Sequence, residues 1–493
     1  MSAVKVMSDM AVSRRTLLAV VLAGAPTLAH SSNSVDVDAR SRAIVARIQR
    51  PRIPKRDFPV RLSDGAPGAD HSADLARALA ACEAAGGGRV VLPQGVCRTG
   101  PIRLASRTEL HVPAGAKLQF IPEPERYLPP VLTRWEGVEL MGYQPLIYAY
   151  GAEDIAVTGG GVIDGGADDK HWWPWKGSWS GRYKDLPIAE TQKGDRARLF
   201  EMAEQGVAPE ARVFGAGSRL RPSFFQPYRS RRVLVEGVTF NSAPFWQLHP
   251  VECTDVTIRG VTCASHGPNN DGIDPEACRD VLIEHCVLDT GDDCIALKSG
   301  RNADGRRLGV SCENVVIRKC RMKDGHAGVA IGSELSGGIR NVFVSDCQMD
   351  SPDLTRALVI KTNSYRGGVV RDIHLDRLSV GVIDKAFIQV WMHYEEGDGG
   401  PFTPVIESVS VSNCRVERTE RVLVVRGLPR SPIRGLALRN IVVKSEEARS
   451  VVVDAADVVV DGVVVEGRAW SGSDLVGFAS LDGVTCDKWA VCR

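Results

Sequence analysis

One short pattern returns along most of this chain: a polar or small residue, then β-formers in which apolar side chains recur. It reads Asp154-Ile155-Ala156-Val157, Arg232-Val233-Leu234-Val235, Asp255-Val256-Thr257-Ile258 and Asp280-Val281-Leu282-Ile283. It continues as Asn314-Val315-Val316-Ile317, Asn341-Val342-Phe343-Val344, Asp372-Ile373-His374-Leu375, Ser408-Val409-Ser410-Val411, Gly435-Leu436-Ala437-Leu438 and Asp457-Val458-Val459-Val460. From Arg232 onward the openers lie 23, 25, 34, 27, 31, 36, 27 and 22 residues apart. Apolar residues alternating over four or more positions mark a half-buried strand. Strands recurring at such intervals, with loops of variable length between them, mark a solenoid. No useful stretch of 3.6-residue periodicity separates the strands, which excludes leucine-rich, ankyrin and tetratricopeptide arrays. The expected fold is all-β: a right-handed, single-stranded parallel β-helix.

The cysteines fit the same repeat. Cys263, Cys286, Cys320 and Cys347 fall six to eight positions after their openers. Residues in phase on successive coils stack about 4.8 Å apart, so these four are expected to form a buried ladder of small apolar side chains. No CxxC spacing accompanies them, which argues against a metal site. Thirteen cysteines cannot all pair, and Cys486 with Cys492 is the plausible bridge in an oxidising compartment.

The ends of a solenoid must be covered. Ala73 to Ala85 has helical composition and periodicity, and Gly86-Gly87-Gly88 stops it before a strand at Arg89 to Leu92; this is the expected N-terminal cap helix. Ser13-Arg14-Arg15-Thr16-Leu17-Leu18 opens an apolar run to Leu28. Positive charge, a short apolar stretch and small residues have the composition of a cleaved signal, here resembling a twin-arginine one. Residues 1–30 are therefore expected to be an export signal, 31–54 a linker and 55–493 one β-helix domain. The product would be periplasmic or extracellular. No segment reaches comfortable transmembrane length. With 61 basic and 60 acidic residues, a net charge of +1, a nucleic-acid or membrane-surface partner is not expected. A monomer is.

Between Gly267 and Thr362 the turns become unusually polar. They read Gly267-Pro268-Asn269-Asn270-Asp271, Thr290-Gly291-Asp292-Asp293, Asp324-Gly325-His326-Ala327 and Val359-Ile360-Lys361-Thr362. Asp292 lies 12 residues after its opener, as does His326, and Asp271 lies 16 after its own in a longer coil. Three carboxylates and a histidine should then share one surface patch. Asp-Gly and Asn-Asp-Gly are ordinary turn chemistry, so no single turn is informative; the shared phase is. Like charges so close raise at least one pKa, leaving a protonated acid beside ionised bases, the division that glycosidic cleavage uses.

In order, these segments resemble the marks of glycoside hydrolase family 28, the polygalacturonases and related pectin hydrolases: Asn-x-Asp, Gly-Asp-Asp, Gly-His-Gly and Arg-x-Lys. The resemblance extends from about Asp57 to Gly400 and includes Trp246-Gln247-Leu248-His249-Pro250. It implies Asp292 as general acid, with Asp271 and Asp293 activating the attacking water, and inversion in a single displacement. It implies His326 tuning the acid, Lys361 and Asn269 binding substrate, and no metal or organic cofactor. Ala327 departs from the second glycine of Gly-His-Gly, and Val359 from the arginine of Arg-x-Lys. An arginine fork is not replaced by an aliphatic side chain, and Arg356 or Arg366 is the expected compensation. Trp172, Trp173, Trp175 and Trp179 crowd one loop and either stack on sugars or form the loop's own core. That loop and Tyr394 to Gly400 resemble insertions of exo-acting members. Two other functions stay open: a Ca²⁺-dependent pectate lyase, with the aspartates as ligands, and a carbohydrate-binding β-helix without turnover.

Overall fold

The structure, a computed structural model, describes residues 30–470 and 474–475. The polar opener of each repeat proves to be a corner. Asp255, Asp280, Asn314, Asn341 and Asp372 have φ of 57°, 60°, 58°, 55° and 57°, in the left-handed region that Asn and Asp tolerate better than other non-glycine residues. The chain bends there, and the next residues run as strand.

Three stacks of parallel strands result, closing a right-handed single-stranded parallel β-helix. Thr254–Arg259, Arg279–Glu284, Cys312–Arg318 and Ile339–Ser345 form part of one face. Thr262–Ser265, Val287–Thr290 and Arg321–Asp324 belong to the second. The third carries Ile295–Leu297, Val329–Gly332, Arg356–Lys361 and Ala386–Trp391 in order. Val256, Val281, Val315, Val342, Ile373 and Val409 are register partners in series, and all are buried. Each such aliphatic side chain contributes roughly 1.5–3 kcal/mol of burial, so every coil is held by its neighbours through one core that runs along the stack.

All eleven cysteines among the described residues are buried and unpaired. Cys286, Cys320 and Cys347 each precede strands paired through Val287, Arg321 and Gln348, and so share one phase. Cys263 does not: it pairs in register with Phe240 and Leu288, two positions further along its coil. The offset matches the spacing from the openers, eight residues for Cys263 and six for the other three. The suggested Cys486–Cys492 bridge lies outside the described residues.

The cap helix spans Ser72–Ala84 and buries Leu75, Ala78 and Cys82. The segment expected to be a linker, 31–54, instead holds a second helix, His30–Arg47. It lies on the outer surface of the first face, where Ile44 packs with Leu282, Val316 and Phe343. These three β-face residues point away from the core, and their apolar surface is what holds the helix. The corner side chains fasten it too: Arg47 pairs with Asp280 at 2.6 Å and Arg40 donates to Asn341 at 3.0 Å. Residues 1–29, with nearly all of the expected signal, lie outside the described residues; among those described, no helix is long and apolar enough to cross a membrane.

Candidate active site

Ile273, Ile295, Val329 and Leu358 are register partners on successive coils of the third face. That column fixes the polar turns that precede it. Asp271 and Asp293 each stand two residues before their column member, whereas Asp292 and His326 stand three before theirs. The side-chain oxygens of Asp271, Asp292 and Asp293 accordingly lie within 4.8 Å of one another. His326 donates its backbone N–H to the Asp292 carbonyl at 3.1 Å, and its Nδ1 lies 2.9 Å from Asp292 Oδ1. Lys361 Nζ donates to Asp293 Oδ2 at 2.6 Å from two coils away. Gly332, its register partner on the coil between, lets the strands pair closely, since a Cβ there would meet the Lys361 carbonyl at 2.3 Å. Asn269 stands at the mouth with φ of 54°, its Oδ1 accepting from Arg221 Nη2 at 2.8 Å.

Two residues outside the expected set complete the electrostatics. Lys298 is buried, with Nζ 3.7 Å from Asp271, 3.6 Å from Asp274 and 3.4 Å from Glu334, and it lies over the Trp246 ring at 4.3 Å. Burial and the charges of Asp274 and Asp292 raise Asp271 well above the ordinary carboxylate range, Lys298 opposing. Asp274 is raised too, by burial first, so this neighbouring pair retains a proton. Burial also pushes Asp292 upward, yet the His326 imidazolium, with Lys361 and Lys298, outweighs it and holds Asp292 low. His326 is in turn raised to about 9, chiefly by Asp292. The crowding of like charges thus shows on Asp271 and Asp274; the resting proton beside Asp292 is on the histidine. Asp274 and Lys298 lie three and five residues past the polar turns that end at Asp271 and Asp293, where a sequence does not show which side chains point inward.

The carboxylates face two joined cavities of about 430 and 620 Å³. In the first, Lys176, Arg356, Lys361, Lys385 and His326 surround Asp292 and Asp293. Its apolar floor is Ala296, Ala327, Ala330 and Val359. Ala327 is therefore a packed floor residue, and the histidine before it keeps its bond to Asp292. Val359 pairs in register with Ala330 and Gln389. Arg356 reaches the same wall, where its guanidinium donates to Gln389 and Thr355. Arg366 does not. It is fully buried and lines neither cavity, its guanidinium held by Glu395 at 2.9 Å and Glu396 at 3.5 Å. The expectation that Arg366 binds substrate is corrected accordingly.

The second cavity is bounded by the segment 183–196 and by Glu136, Trp246, Tyr394 and Glu395. Of the tryptophan loop, Trp172 is buried against Tyr127 and Trp175, with ring centroids at 5.3 and 5.0 Å. Trp173 Nε1 donates to the Ala243 carbonyl at 2.9 Å. Trp179 alone of the four lines a cavity. Three rings form the loop's core and one faces the groove.

The sequence profile described as glycosyl hydrolases family 28 matches residues 212–458. The chain is 41% identical to a hyperthermoactive exopolygalacturonase from Thermotoga maritima, over 88% of this chain and 97% of that one, with a TM-score of 0.83. A family 28 exopolygalacturonase of Yersinia enterocolitica shares the fold at 20% identity and a TM-score of 0.69, over 86% of this chain and 77% of that one. A probable polygalacturonase of Vitis vinifera is 26% identical over 73% of this chain and 67% of its own length. With the site's carboxylates borne on the stretch that the profile spans, the chain belongs to glycosyl hydrolases family 28 and is a glycoside hydrolase.

Proposed function

We propose that this enzyme hydrolyses glycosidic bonds in a galacturonic-acid-containing pectic chain, releasing units from a chain end outside the cytoplasm. The observation that carries the reading is the three-carboxylate cluster, within 4.8 Å, of which Asp292 and Asp293 line a cavity together with Lys176, Arg356, Lys361 and Lys385. Cations that remain around a groove after its acids are matched suit a polyanionic substrate. The exo mode is supported by the bounded second cavity and by the likeness to exopolygalacturonases.

In this reading the proton donor is Asp292 together with His326. His326 passes its proton along the 2.9 Å bond to Asp292, which delivers it to the glycosidic oxygen as the bond to the leaving sugar breaks. Asp271 and Asp293 accept the proton of the attacking water, and their charge is balanced by Lys298 and Lys361. Those two ammonium groups already supply positive charge to the cluster, which supports hydrolysis over Ca²⁺-based elimination. The carboxylates are closer than the roughly 6.5–9.5 Å usual for inversion, so the expected inverted product is best read directly, as the first-formed anomer by proton NMR.

The test is wild type against Asp292→Asn on oligogalacturonides, following reducing ends and ultraviolet absorbance together. Saturated monomer from wild type, with the variant down by about 10²–10⁴-fold, is expected. An absorbing unsaturated product, or no product from wild type, overturns it.

A further inference from the structure

One cation of the site has no task in the chemistry above. Lys176 ends the short turn Trp173–Lys176 and lines both cavities, beside Asn269, Asp292 and Asp293. The other cations of these walls are engaged. Lys361 is bonded to Asp293, Lys298 lies among three carboxylates, and Lys385 pairs with Asp384 at 3.0 Å. Arg356 bonds Gln389, and Arg196 pairs with Glu136 at 2.7 Å. Lys184 and Lys193 are exposed and border the second cavity alone. Among the described residues Lys176 is the half-buried cation that reaches both cavities without a hydrogen-bond or ion-pair partner.

Its turn is held firmly. Trp173 is bonded to the Ala243 carbonyl, and the Trp175 carbonyl accepts from Gln192 N at 2.6 Å. Trp175 packs on Trp172 and lies under the Arg219 guanidinium at 5.1 Å. The ammonium is therefore presented from the loop side, opposite the strands that carry Lys361. Burial pulls its affinity for a proton below the ordinary value, Glu136 opposing, so an arriving carboxylate would strengthen its charge.

We propose that Lys176 is a specificity-determining residue: it binds the carboxylate of the uronate sugar at the cleavage point and rejects neutral sugars of the same shape. This rests on the pectic reading above. An ammonium carried on an anchored turn has no protein partner to give up on binding, and a charge-assisted bond to a carboxylate is among the stronger polar contacts.

The test is titration of galacturonate and of galactose into wild type, Lys176→Met and Lys176→Arg, with thermal denaturation confirming that each variant folds. Galacturonate affinity is expected to fall about 10–100-fold in Lys176→Met, galactose affinity to stay unchanged, and Lys176→Arg to keep most of the preference. A Met variant that retains the wild-type preference, or loses both sugars equally, overturns the role of Lys176. A wild type that does not prefer galacturonate overturns the pectic reading itself, and the same titration separates the two.

Discussion

His326 and Asp292 are joined twice across neighbouring coils, by the histidine's backbone N–H at 3.1 Å and by its ring Nδ1 at 2.9 Å. The backbone bond fixes the register of the two turns, so the ring meets the carboxylate without a search of rotamers. Charge coupling follows from that placement: Asp292 is held low and His326 is lifted to about 9. One proton belongs to the pair.

The pH profile should show that proton. His326 has a raised pKa, so the protonated pair is present below about 9 and is lost as pH rises through that value. The alkaline limb of kcat/KM is expected near there in wild type. His326→Ala should lower the rate and shift or remove this limb. An unchanged limb in the variant would assign it to another group.

The acidic limb belongs to the neighbouring pair. Asp271 must ionise before it can accept a proton from water, and burial with Asp274 holds it above the ordinary range. Activity should therefore rise with pH at values higher than an ordinary aspartate gives. Asp274→Asn removes one negative neighbour and is expected to move this limb toward lower pH. A limb that stays in place would detach Asp274 from the ionisation of Asp271.

The contrast between these pairs and the sequence reading is instructive. Asp292 and His326 were placed on neighbouring coils by counting 12 residues from each opener, because a solenoid turns phase into distance. The β-helix and the carboxylate cluster came from the same periodicity, and the cap helix from the helical composition of Ala73 to Ala85. Arg366 was misplaced because strand phase says nothing about a side chain beyond the strand's end. The helix at His30–Arg47 shows little apolar periodicity in its sequence, and its apolar contacts are supplied by outward residues of the sheet. Lys298 lies a few residues past its polar turn, and the partners that give it meaning come from the two neighbouring coils.

Val359 tests whether the wall tolerates an arginine. Its side chain lies on a floor of alanines and is 5% exposed, so Val359→Arg should overfill the site and lower both stability and activity, with a cost of about 1–3 kcal/mol. Arg356→Met should instead raise KM for charged substrate with a smaller change in kcat. Arg366→Met should lower the melting temperature, because it leaves Glu395 and Glu396 with Arg301 as their one remaining cation among the described residues. Steady-state kinetics with thermal denaturation of the three variants distinguishes these outcomes.

Chelation should leave the enzyme working. Lys298 and Lys361 already neutralise the carboxylate cluster from within, so treatment with excess EDTA is expected to change kcat/KM on oligogalacturonides by less than about twofold. Loss of activity that Ca²⁺ restores would replace hydrolysis by water activation with a metal-dependent step.

The N-terminal helix should contribute stability without touching catalysis. Ile44 is 4% exposed against Leu282, Val316 and Phe343, on a face distinct from that of the strands bearing the site. Ile44→Ala is expected to destabilise by about 2–4 kcal/mol if the helix stays docked, and by less if it detaches and the three sheet residues become solvated. The corner bonds from Arg40 and Arg47 to Asn341 and Asp280 favour continued docking. Denaturant unfolding measures the loss, and kcat/KM at a temperature where both proteins are folded should be unchanged. A fall in activity without a fall in stability would mean that the helix communicates with the cavity through the coils it straddles.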